Sequence, residues 1–255
     1  MSNAQVVVHR DGDLLAAAAA ARLVTSIVDA QAARGHASVV LTGGRTGTAV
    51  LEHLNRNAAR DAVDWSRVDL FWGDERFLPS GHPDRNETQA RAALLDHVAL
   101  DPSRVHVMEP SDGRFGDDPE AAAAAYAEVL ASLASQEDDG VPAFDVCMLG
   151  VGEEGHVASV FPDSPAVHEK ERTVVAVRDC PKPPPTRVSL TLSSVRHARE
   201  VWLMTTGEAK ADAVATALSG ADEVELPAAG ATGQRRTLWL LDTAASAKVP
   251  ASFTP

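Results

Sequence analysis

Cysteine is scarce in this chain, which has only Cys147 and Cys180 among its 255 residues. Two cysteines do not provide a disulfide framework, and Cys147 lies in an apolar run that is typical of a buried thiol. The sequence also has no HExxH motif and no paired Cys/His spacing of the kind that holds zinc. These absences exclude a disulfide-stapled secreted module, and they predict a protein without a metal or another cofactor.

Long apolar runs are missing as well. No stretch approaches the ~20 apolar residues of a membrane-spanning helix. Residues 1–5 have neither the basic start nor the apolar core of a secretion signal. We therefore expect a cytoplasmic protein that does not bind membranes.

Basic residues are fewer than acidic ones: the chain has 23 Lys and Arg and 36 Asp and Glu, which gives a formal net charge of −13. Such a field repels nucleic acid and anionic membranes, so neither is an expected partner. A small anionic substrate is compatible with this charge if Arg, Lys and backbone N–H groups are concentrated at one place. The sequence leaves the oligomeric state undetermined.

The chain does contain a regular alternation of short apolar runs and helical patterns. Strands are predicted at 5–9, 38–41, 68–72, 104–107, 144–149, 173–177, 187–192, 201–205 and 237–241. Helices are predicted at 13–34, 46–60, 86–97, 117–135 and 207–219, the first capped by Asp13 and the third opened by a capping box at 86–89. This order indicates an α/β fold with mainly parallel strands and helices on both faces. The most linker-like stretch, 136–143, is too short to mark a boundary, so residues 1–255 are expected to form a single domain.

The most informative segment is 144–161, where an apolar run ends in a glycine-rich turn that carries Glu154 and His156. In open α/β folds, ligands bind at the carboxyl ends of the strands. An imidazole titrates near neutral pH, which suits proton transfer. His156 is therefore the first candidate for a catalytic residue.

The same turn formally matches the GxGxxG pattern at 150–155. A dinucleotide-binding version of this pattern needs a full helix after the third glycine. Pro162 and Pro165 interrupt the chain within about two turns, so no such helix fits and a nicotinamide cofactor is rejected.

A second glycine-rich turn, which contains Gly43, Gly44, Arg45 and Thr46, lies between a predicted strand and a predicted helix. Glycine lets the backbone approach a ligand, and a helix N-terminus offers free N–H groups to an anion. The Lys-Ser/Thr pair of a Walker loop is absent. The motif alone therefore leaves open both a phosphate site and an ordinary strand–helix turn.

Further charged residues follow predicted strands or stiff turns. Asp74 and Arg76 come directly after the third predicted strand, and Arg187 ends a Lys-Pro-Pro-Pro-Thr-Arg stretch. Lys210 is expected in the first turn of a helix, where a cation opposes the helix dipole unless it shares an anion with the N–H groups. Each of these segments is equally compatible with a solvated or rigid loop when it is taken alone.

Five blocks in order resemble the 6-phosphogluconolactonase family. They are Leu-Thr-Gly-Gly at 41–44, Trp-Gly-Asp-Glu-Arg-Phe-Leu-Pro at 72–79, the segment 144–162, Lys-Pro-Pro-Pro-Thr-Arg at 182–187 and Gly-Glu-Ala-Lys-Ala at 207–211. The resemblance implies a three-layer α/β/α domain of the glucosamine-6-phosphate deaminase-like fold. It also implies metal-free hydrolysis of 6-phospho-D-glucono-1,5-lactone to 6-phospho-D-gluconate in the oxidative pentose phosphate pathway.

The resemblance implies roles for individual residues. His156 corresponds to the family's catalytic histidine and Arg76 to its active-site arginine, while either Glu154 or Asp74 would orient the imidazole. The residues expected at the sugar-phosphate end are Gly43, Gly44, Arg45, Thr46, Arg187 and Lys210. The family often has Gly-Gly-Ser-Thr-Pro where this chain has Gly-Gly-Arg-Thr-Gly, so Arg45 or backbone N–H groups would replace a serine ligand.

The nearest enzyme alternative is a glucosamine-6-phosphate deaminase or sugar-phosphate isomerase, and a second alternative belongs to a non-enzymatic class. The deaminase shares the glycine turns, but it calls for Asp-Glu-Tyr where this chain has Gly-Asp-Glu-Arg at 73–76. A non-catalytic sugar-phosphate sensor calls for a DNA-binding helix-turn-helix module, and an acidic chain that starts with a predicted strand is not expected to have one.

Overall fold

The computed structural model describes residues 4–135 and 139–253. Its strands are β1 (Ala4–His9), β2 (Ala37–Leu41), β3 (Val68–Trp72), β4 (Asp74–Arg76), β5 (Val146–Gly150), β6 (Val174–Val177), β7 (Arg187–Leu190), β8 (Glu200–Thr205) and β9 (Arg236–Asp242). Six of them form a parallel sheet in the order β1-β9-β8-β5-β2-β3, and the others form a small antiparallel sheet in the order β4-β7-β6.

The α-helices alternate with these strands along the chain. They are α1 (Gly12–Arg34), α2 (Gly44–Arg56), α3 (Asn86–Ala93), α4 (Pro119–Leu133), α5 (Pro165–His168), α6 (Leu192–Val195), α7 (Ala211–Leu218) and α8 (Pro227–Gly230). Within the described residues, none of these helices combines the length and the apolar character that crossing a bilayer requires.

Successive side chains of each parallel strand point to opposite faces of the sheet, and this alternation creates two apolar layers. In β5, Val146 and Met148 pack with residues of α1, α2 and α3. Cys147 and Leu149 pack on the other face with α4, α6, α7, α8 and the small sheet. The predicted α/β fold with helices on both faces is therefore confirmed.

The first helix begins one residue earlier than the sequence predicts, and its N-cap lies two residues earlier. Asp11, and not Asp13, is the N-cap, because its side chain accepts the N–H of Leu14 at 2.9 Å. Asp13 lies in the first turn and its Oδ1 is 2.7 Å from Nε2 of His53 on α2. Gly35 then ends the helix in the left-handed conformation.

Two other local predictions were wrong. The predicted strand 104–107 is an irregular segment in which only Val105 bridges Leu70, beyond the edge of the sheet. The predicted capping box is wrong because Asn86 lies inside the helix and is buried, while Arg85 occupies the cap position. Both errors concern four-residue patterns, which are too short to reveal the tertiary contacts that decide their structure.

Strand β4 falls in a stretch that the sequence predicts to be a loop. Its three residues pair antiparallel with β7, so that Asp74 lies opposite Ser189 and Arg76 opposite Arg187. A three-residue charged strand has no apolar alternation from which to predict it. The pairing brings two separate charged segments together beside the carboxyl edge of the parallel sheet.

The linker-like stretch 136–143 lies partly outside the described residues, since 136–138 are not described. Strands of both sheets contribute to one apolar layer, in which Phe71 and Leu149 of the large sheet join Val175 and Val188 of the small one. The extent of a single domain over residues 1–255 stays a prediction.

Candidate active site

A cavity of about 260 Å³ opens at the carboxyl edge of the parallel sheet, where β2, β5 and β8 end. Of the ten residues that the sequence nominates, the nine that line this cavity are Gly43, Gly44, Arg45, Thr46, Asp74, Arg76, His156, Arg187 and Lys210. The tenth, Glu154, is not a lining residue, but its Oε1 lies 3.2 Å from Nδ1 of His156. Residues that are far apart in the chain therefore meet at one place, as expected for a parallel sheet.

His156 lies on a tight turn that follows β5. The N–H of Gly152 donates to the carbonyl oxygen of His156 at 2.9 Å and closes this turn. A Cβ at position 152 would overlap Nδ1 of the imidazole, so only glycine permits the ring to lie against the turn. The ring also stacks on Phe161 with 4.3 Å between centroids. The glycines of the GxGxxG pattern thus hold a histidine and do not open a dinucleotide helix.

The surroundings of His156 favour the neutral imidazole. Burial lowers its pKa, and this effect outweighs the carboxylate of Glu154, which raises it. Nδ1 lies 3.2 Å from Oε1 of Glu154, although the atoms are not aligned as a hydrogen bond. A ring whose pKa lies below the ordinary 6.5 is mostly unprotonated at pH 7 and is able to accept a proton.

Glu154 is in turn held by a lysine that the sequence analysis does not nominate. Nζ of Lys182 lies 2.9 Å from Oε2 of Glu154. Burial raises the pKa of Glu154, but a backbone N–H, Lys182 and His156 together outweigh burial and keep it below the ordinary value. The signal in the sequence is the start of the Lys-Pro-Pro-Pro-Thr-Arg block, which precedes Arg187.

Asp74 does not accompany the imidazole in the same way. Its carboxylate accepts the hydroxyl of Ser159 at 2.7 Å, and its backbone carbonyl accepts Nδ2 of Asn86 at 2.8 Å. Nη1 of Arg187 lies 3.8 Å from the same carboxylate. Of the two carboxylates that the sequence leaves open, the structure brings Glu154 to the ring and engages Asp74 in a neighbouring buried cluster.

Two of the three arginines that line the cavity, Arg187 and Arg76, differ in how many hydrogen bonds hold their guanidinium groups. Arg187 is buried, and its guanidinium donates to the carbonyl oxygens of Lys182, Pro183 and Pro184 at 3.0 to 3.3 Å. It therefore holds the proline-rich turn in place. Arg76 donates from Nη1 to a backbone carbonyl at 2.6 Å, while its buried Nε has no partner among the described residues.

The glycine turn between β2 and α2 leaves helical N–H groups open toward the cavity. Gly43 is the N-cap of α2 and supplies no side-chain hydrogen bond. A Cβ at this position would overlap the side chain of Asn86, which is packed against the turn. The first-turn N–H groups of an uncapped 13-residue helix are an anion-binding feature.

Two cations lie beside this helix terminus. Burial lowers the pKa of Lys210, and the neighbouring Lys182 and Arg45 lower it further. Within residues 4–135 and 139–253, neither Lys210 nor Arg45 forms an ion pair. This part of the cavity therefore has a surplus of positive charge in a protein whose net charge is −13.

A buried ion pair that the sequence does not reveal supports the strand that carries Arg76. Glu75 accepts the backbone N–H groups of Arg76, Asn86 and Glu87 at 2.7 to 2.9 Å. The fully buried Arg85 lies 3.9 Å from it. Burial raises the pKa of Glu75 to about 7, against the lowering effect of Arg85 and the three N–H groups. The pair joins β4 to α3 beneath the cavity.

Known proteins are similar to this chain over most of its length. The family described as "Glucosamine-6-phosphate isomerases/6-phosphogluconolactonase" matches residues 10–239. A 6-phosphogluconolactonase of Streptomyces coelicolor is 63% identical over 252 residues, which cover 98% of this chain and 97% of that protein. The chain belongs to this family. The resemblance that the five sequence blocks indicate is thereby confirmed.

Solved structures of the family have the same architecture. The 6-phosphogluconolactonase of Trypanosoma brucei is 28% identical with a TM-score of 0.79, and the match covers 96% of this chain and 98% of that one. A monomeric glucosamine-6-phosphate deaminase is 20% identical with a TM-score of 0.77, covering 96% and 99% of the two chains. The fold of this chain is therefore shared with solved structures of a lactonase and of a deaminase.

Proposed function

We propose that the protein hydrolyses 6-phospho-D-glucono-1,5-lactone to 6-phospho-D-gluconate, as the lactonase step of the oxidative pentose phosphate pathway in the cytoplasm. The name of the 63% identical relative supports this activity. The observation that carries the proposal is one cavity whose lining combines His156, 3.2 Å from Glu154 and with its pKa lowered by burial, and an uncapped helix terminus beside cations that form no ion pair among the described residues. This arrangement suits a substrate with a phosphate at one end and a reactive carbonyl at the other.

The phosphate group is proposed to bind at the start of α2. The N–H groups of Gly44, Arg45 and Thr46 and the ammonium of Lys210 are the donors on this side of the cavity. Each charge-assisted hydrogen bond contributes about 1.5–3 kcal/mol. A dianion here would also relieve the repulsion between Lys210 and its neighbours Arg45 and Lys182. The predicted contribution of Arg187 is indirect in this proposal, because its donors hold the proline-rich turn.

His156 is proposed to act as the general base. Since Nδ1 faces Glu154, Nε2 is the nitrogen that takes a proton from water while the water oxygen bonds to C1 of the lactone. The carbonyl π electrons move to oxygen, and Arg76 or N–H groups of the turn 150–155 stabilise the resulting oxyanion. As the C1–O5 bond breaks, the imidazolium returns its proton to the leaving ring oxygen. The product acid then ionises.

Glu154 is proposed to stabilise the imidazolium that forms during this step. An opposite charge 3.2 Å from Nδ1 favours the protonated ring in the transition state, while burial keeps the resting ring neutral. The mechanism uses no metal ion. Among the described residues, no group of three His, Cys, Asp or Glu side chains is suited to hold one.

The test is a direct assay of lactone hydrolysis. Glucose-6-phosphate dehydrogenase generates the lactone in situ, and its disappearance is followed with and without this protein. We expect acceleration above spontaneous hydrolysis that persists in the presence of EDTA. Glucosamine 6-phosphate, assayed for released ammonia, serves as the substrate of the alternative activity. Deamination without accelerated lactone hydrolysis would contradict the proposal, and inhibition by EDTA would contradict its metal-free mechanism.

A further inference from the structure

A second cavity, of about 640 Å³, lies at the amino edge of the parallel sheet. It is bounded by α1 and by the starts of β5, β8 and β9, so the length of the strands separates it from the active site. Five residues spaced at about 3.3 Å each make β5 about 16 Å long. We call it the amino-edge cavity. Its cationic lining residues are Arg22, Arg34, Arg199, Arg235 and Arg236.

The arginines of this cavity outnumber its carboxylates by five to three. The whole chain has the opposite balance, with 23 basic and 36 acidic residues. Guanidinium groups stay charged at every physiological pH, so the imbalance cannot be removed by deprotonation. The amino-edge cavity is therefore a local positive region in an acidic protein.

The carboxylate of Asp145 pairs with two of the arginines. Asp145 is buried and accepts a hydrogen bond from Nη2 of Arg34, while Nε of Arg199 lies 3.3 Å from the same oxygen. The second oxygen of Asp145 accepts the N–H of Ser38 at 3.0 Å. Both guanidiniums keep about a third of their side-chain area exposed, at 33% for Arg34 and 28% for Arg199. This trio has a net positive charge and open donor positions.

The remaining arginines differ from one another. Arg236 is neutralised by Glu200, to which it donates at 2.7 and 2.8 Å. Arg22 and Arg235 form no ion pair or side-chain hydrogen bond within the described part of the chain. The third carboxylate, Asp29, is exposed and also forms no ion pair there. Two unpaired guanidiniums thus face a trio that is already short of negative charge.

We propose that the amino-edge cavity binds a small anion with a phosphate or carboxylate group, at a site separate from the active site. Guanidinium groups bind both anions through paired N–H donors, and this fork geometry is the reason that arginine is enriched in such sites. Arg22 and Arg235 supply the free donors, and the Arg34–Asp145–Arg199 trio supplies the positive wall. The proposal does not depend on which reaction the active site performs.

The experiment uses the full chain with Lys210→Glu, which places a negative charge in the active-site cavity and suppresses anion binding there. Inorganic phosphate and citrate are titrated separately by calorimetry at constant ionic strength in NaCl. The test variant adds Arg22→Gln and Arg235→Gln, which break no contact that the structure describes. The matched control adds Arg10→Gln and Arg67→Gln instead, which remove the same charge from exposed positions with side-chain exposures of 81% and 62%.

We expect one anion per chain in the Lys210→Glu protein, with at least about tenfold weaker binding in the test variant, corresponding to about 1.4 kcal/mol. The control is expected to change the Kd by less than about twofold, and thermal unfolding verifies that each variant is folded. Binding of phosphate alone, citrate alone or both identifies the group and supports the site. Binding of neither anion to the Lys210→Glu protein, or equal loss in the test and control variants, would overturn the proposal.

Discussion

The two edges of the parallel sheet have cavities that differ in size and in the residues that line them. The cavity at the carboxyl edge is the smaller, at about 260 Å³ against about 640 Å³. Both cavities have cationic side chains in their lining, but only the smaller one adds two glycine turns, an uncapped helix terminus and an imidazole. Cavity size is therefore a poor guide to the location of chemistry in this fold.

Strand direction explains the difference. At the carboxyl edge the chain leaves a strand, turns tightly and begins a helix, so Gly43–Thr46 line the cavity at a helix terminus without a side-chain cap. At the amino edge the chain arrives from helices, and carboxylates such as Asp145 and Glu200 pair with only part of the arginine charge there. In addition, only the carboxyl-edge cavity has a lining residue, His156, whose charge changes near neutral pH.

The largest effect is expected from removing that imidazole. His156→Ala should lower kcat by about 10²- to 10⁴-fold because it removes the general base, with little change in KM. Steady-state kinetics of lactone hydrolysis measure this effect. Arg22→Gln at the amino edge and His168→Ala at an exposed position are the controls, and both should keep wild-type kcat. Near wild-type kcat in His156→Ala would contradict the assignment of the base.

Removal of Glu75, which lies beneath the active site, is expected to lower the free energy of unfolding more than removal of Asp145 at the amino edge. Glu75→Ala leaves Arg85 buried with Glu87 as its remaining carboxylate, at 3.5 Å, and leaves three backbone N–H groups without their acceptor. The free energy of unfolding should therefore fall by about 3–5 kcal/mol. Asp145→Ala should cost less, because water reaches both of its arginines.

Urea denaturation of both variants, with exposed Glu52→Ala as the control, measures this comparison. An equal or larger loss of unfolding free energy in Asp145→Ala would contradict the expectation that Glu75 contributes more to stability than Asp145.

Loss of a cation at the phosphate end should affect binding more than chemistry. Lys210→Met removes one charge-assisted contact of about 1.5–3 kcal/mol, so KM should rise by about 10- to 100-fold with a smaller change in kcat. Kinetics across a wide substrate range separate the two parameters. Arg235→Gln is the matched loss of a cation at the other edge, and it should leave both unchanged. A fall in kcat at constant KM would place Lys210 at the reacting end instead.

The smallest effect concerns the pH dependence of the base. The neutral form of His156 is active, so kcat/KM falls as the pH drops through its pKa, which lies below the ordinary 6.5. Lys182 lowers this pKa, so Lys182→Met should raise it and move the acidic limb to higher pH. Lys182→Arg keeps the charge and should restore the limb toward its original position. If the acidic limb of the pH profile does not move in Lys182→Met, Lys182 does not lower the pKa of His156 and the prediction is wrong.

The parts of the fold that were predicted correctly are those with a local signal. Parallel strands such as β2, β3 and β9 are short apolar runs bounded by turns, and the predicted bounds agree with the structure within about a residue. The glycine turns were found for the same reason, because a backbone that must approach a ring or a ligand requires glycine. Strand β4 was missed because three charged residues have no such signal.

The pairings of charged side chains were the least predictable feature. Lys182 and Glu154 are 28 positions apart in the chain, and Arg34 and Asp145 are 111 apart. A charged residue in a sequence is most often a solvated one, so its type alone does not reveal a buried partner. The choice between Glu154 and Asp74, and the task of Arg187 in the proline-rich turn, were open for that reason.

The amino-acid sequence by itself determined the alternation of strands and helices, the two glycine turns and the position of His156 on one of them. These features follow from backbone conformation and hydrophobic periodicity, which act over a few neighbouring residues. Only the tertiary structure decided which carboxylate lies beside the imidazole, how Glu75 and Arg85 support the site and where five arginines converge. Those outcomes depend on segments that meet only when the sheet is assembled, since electrostatic partners are set by distance in space and not by distance along the chain.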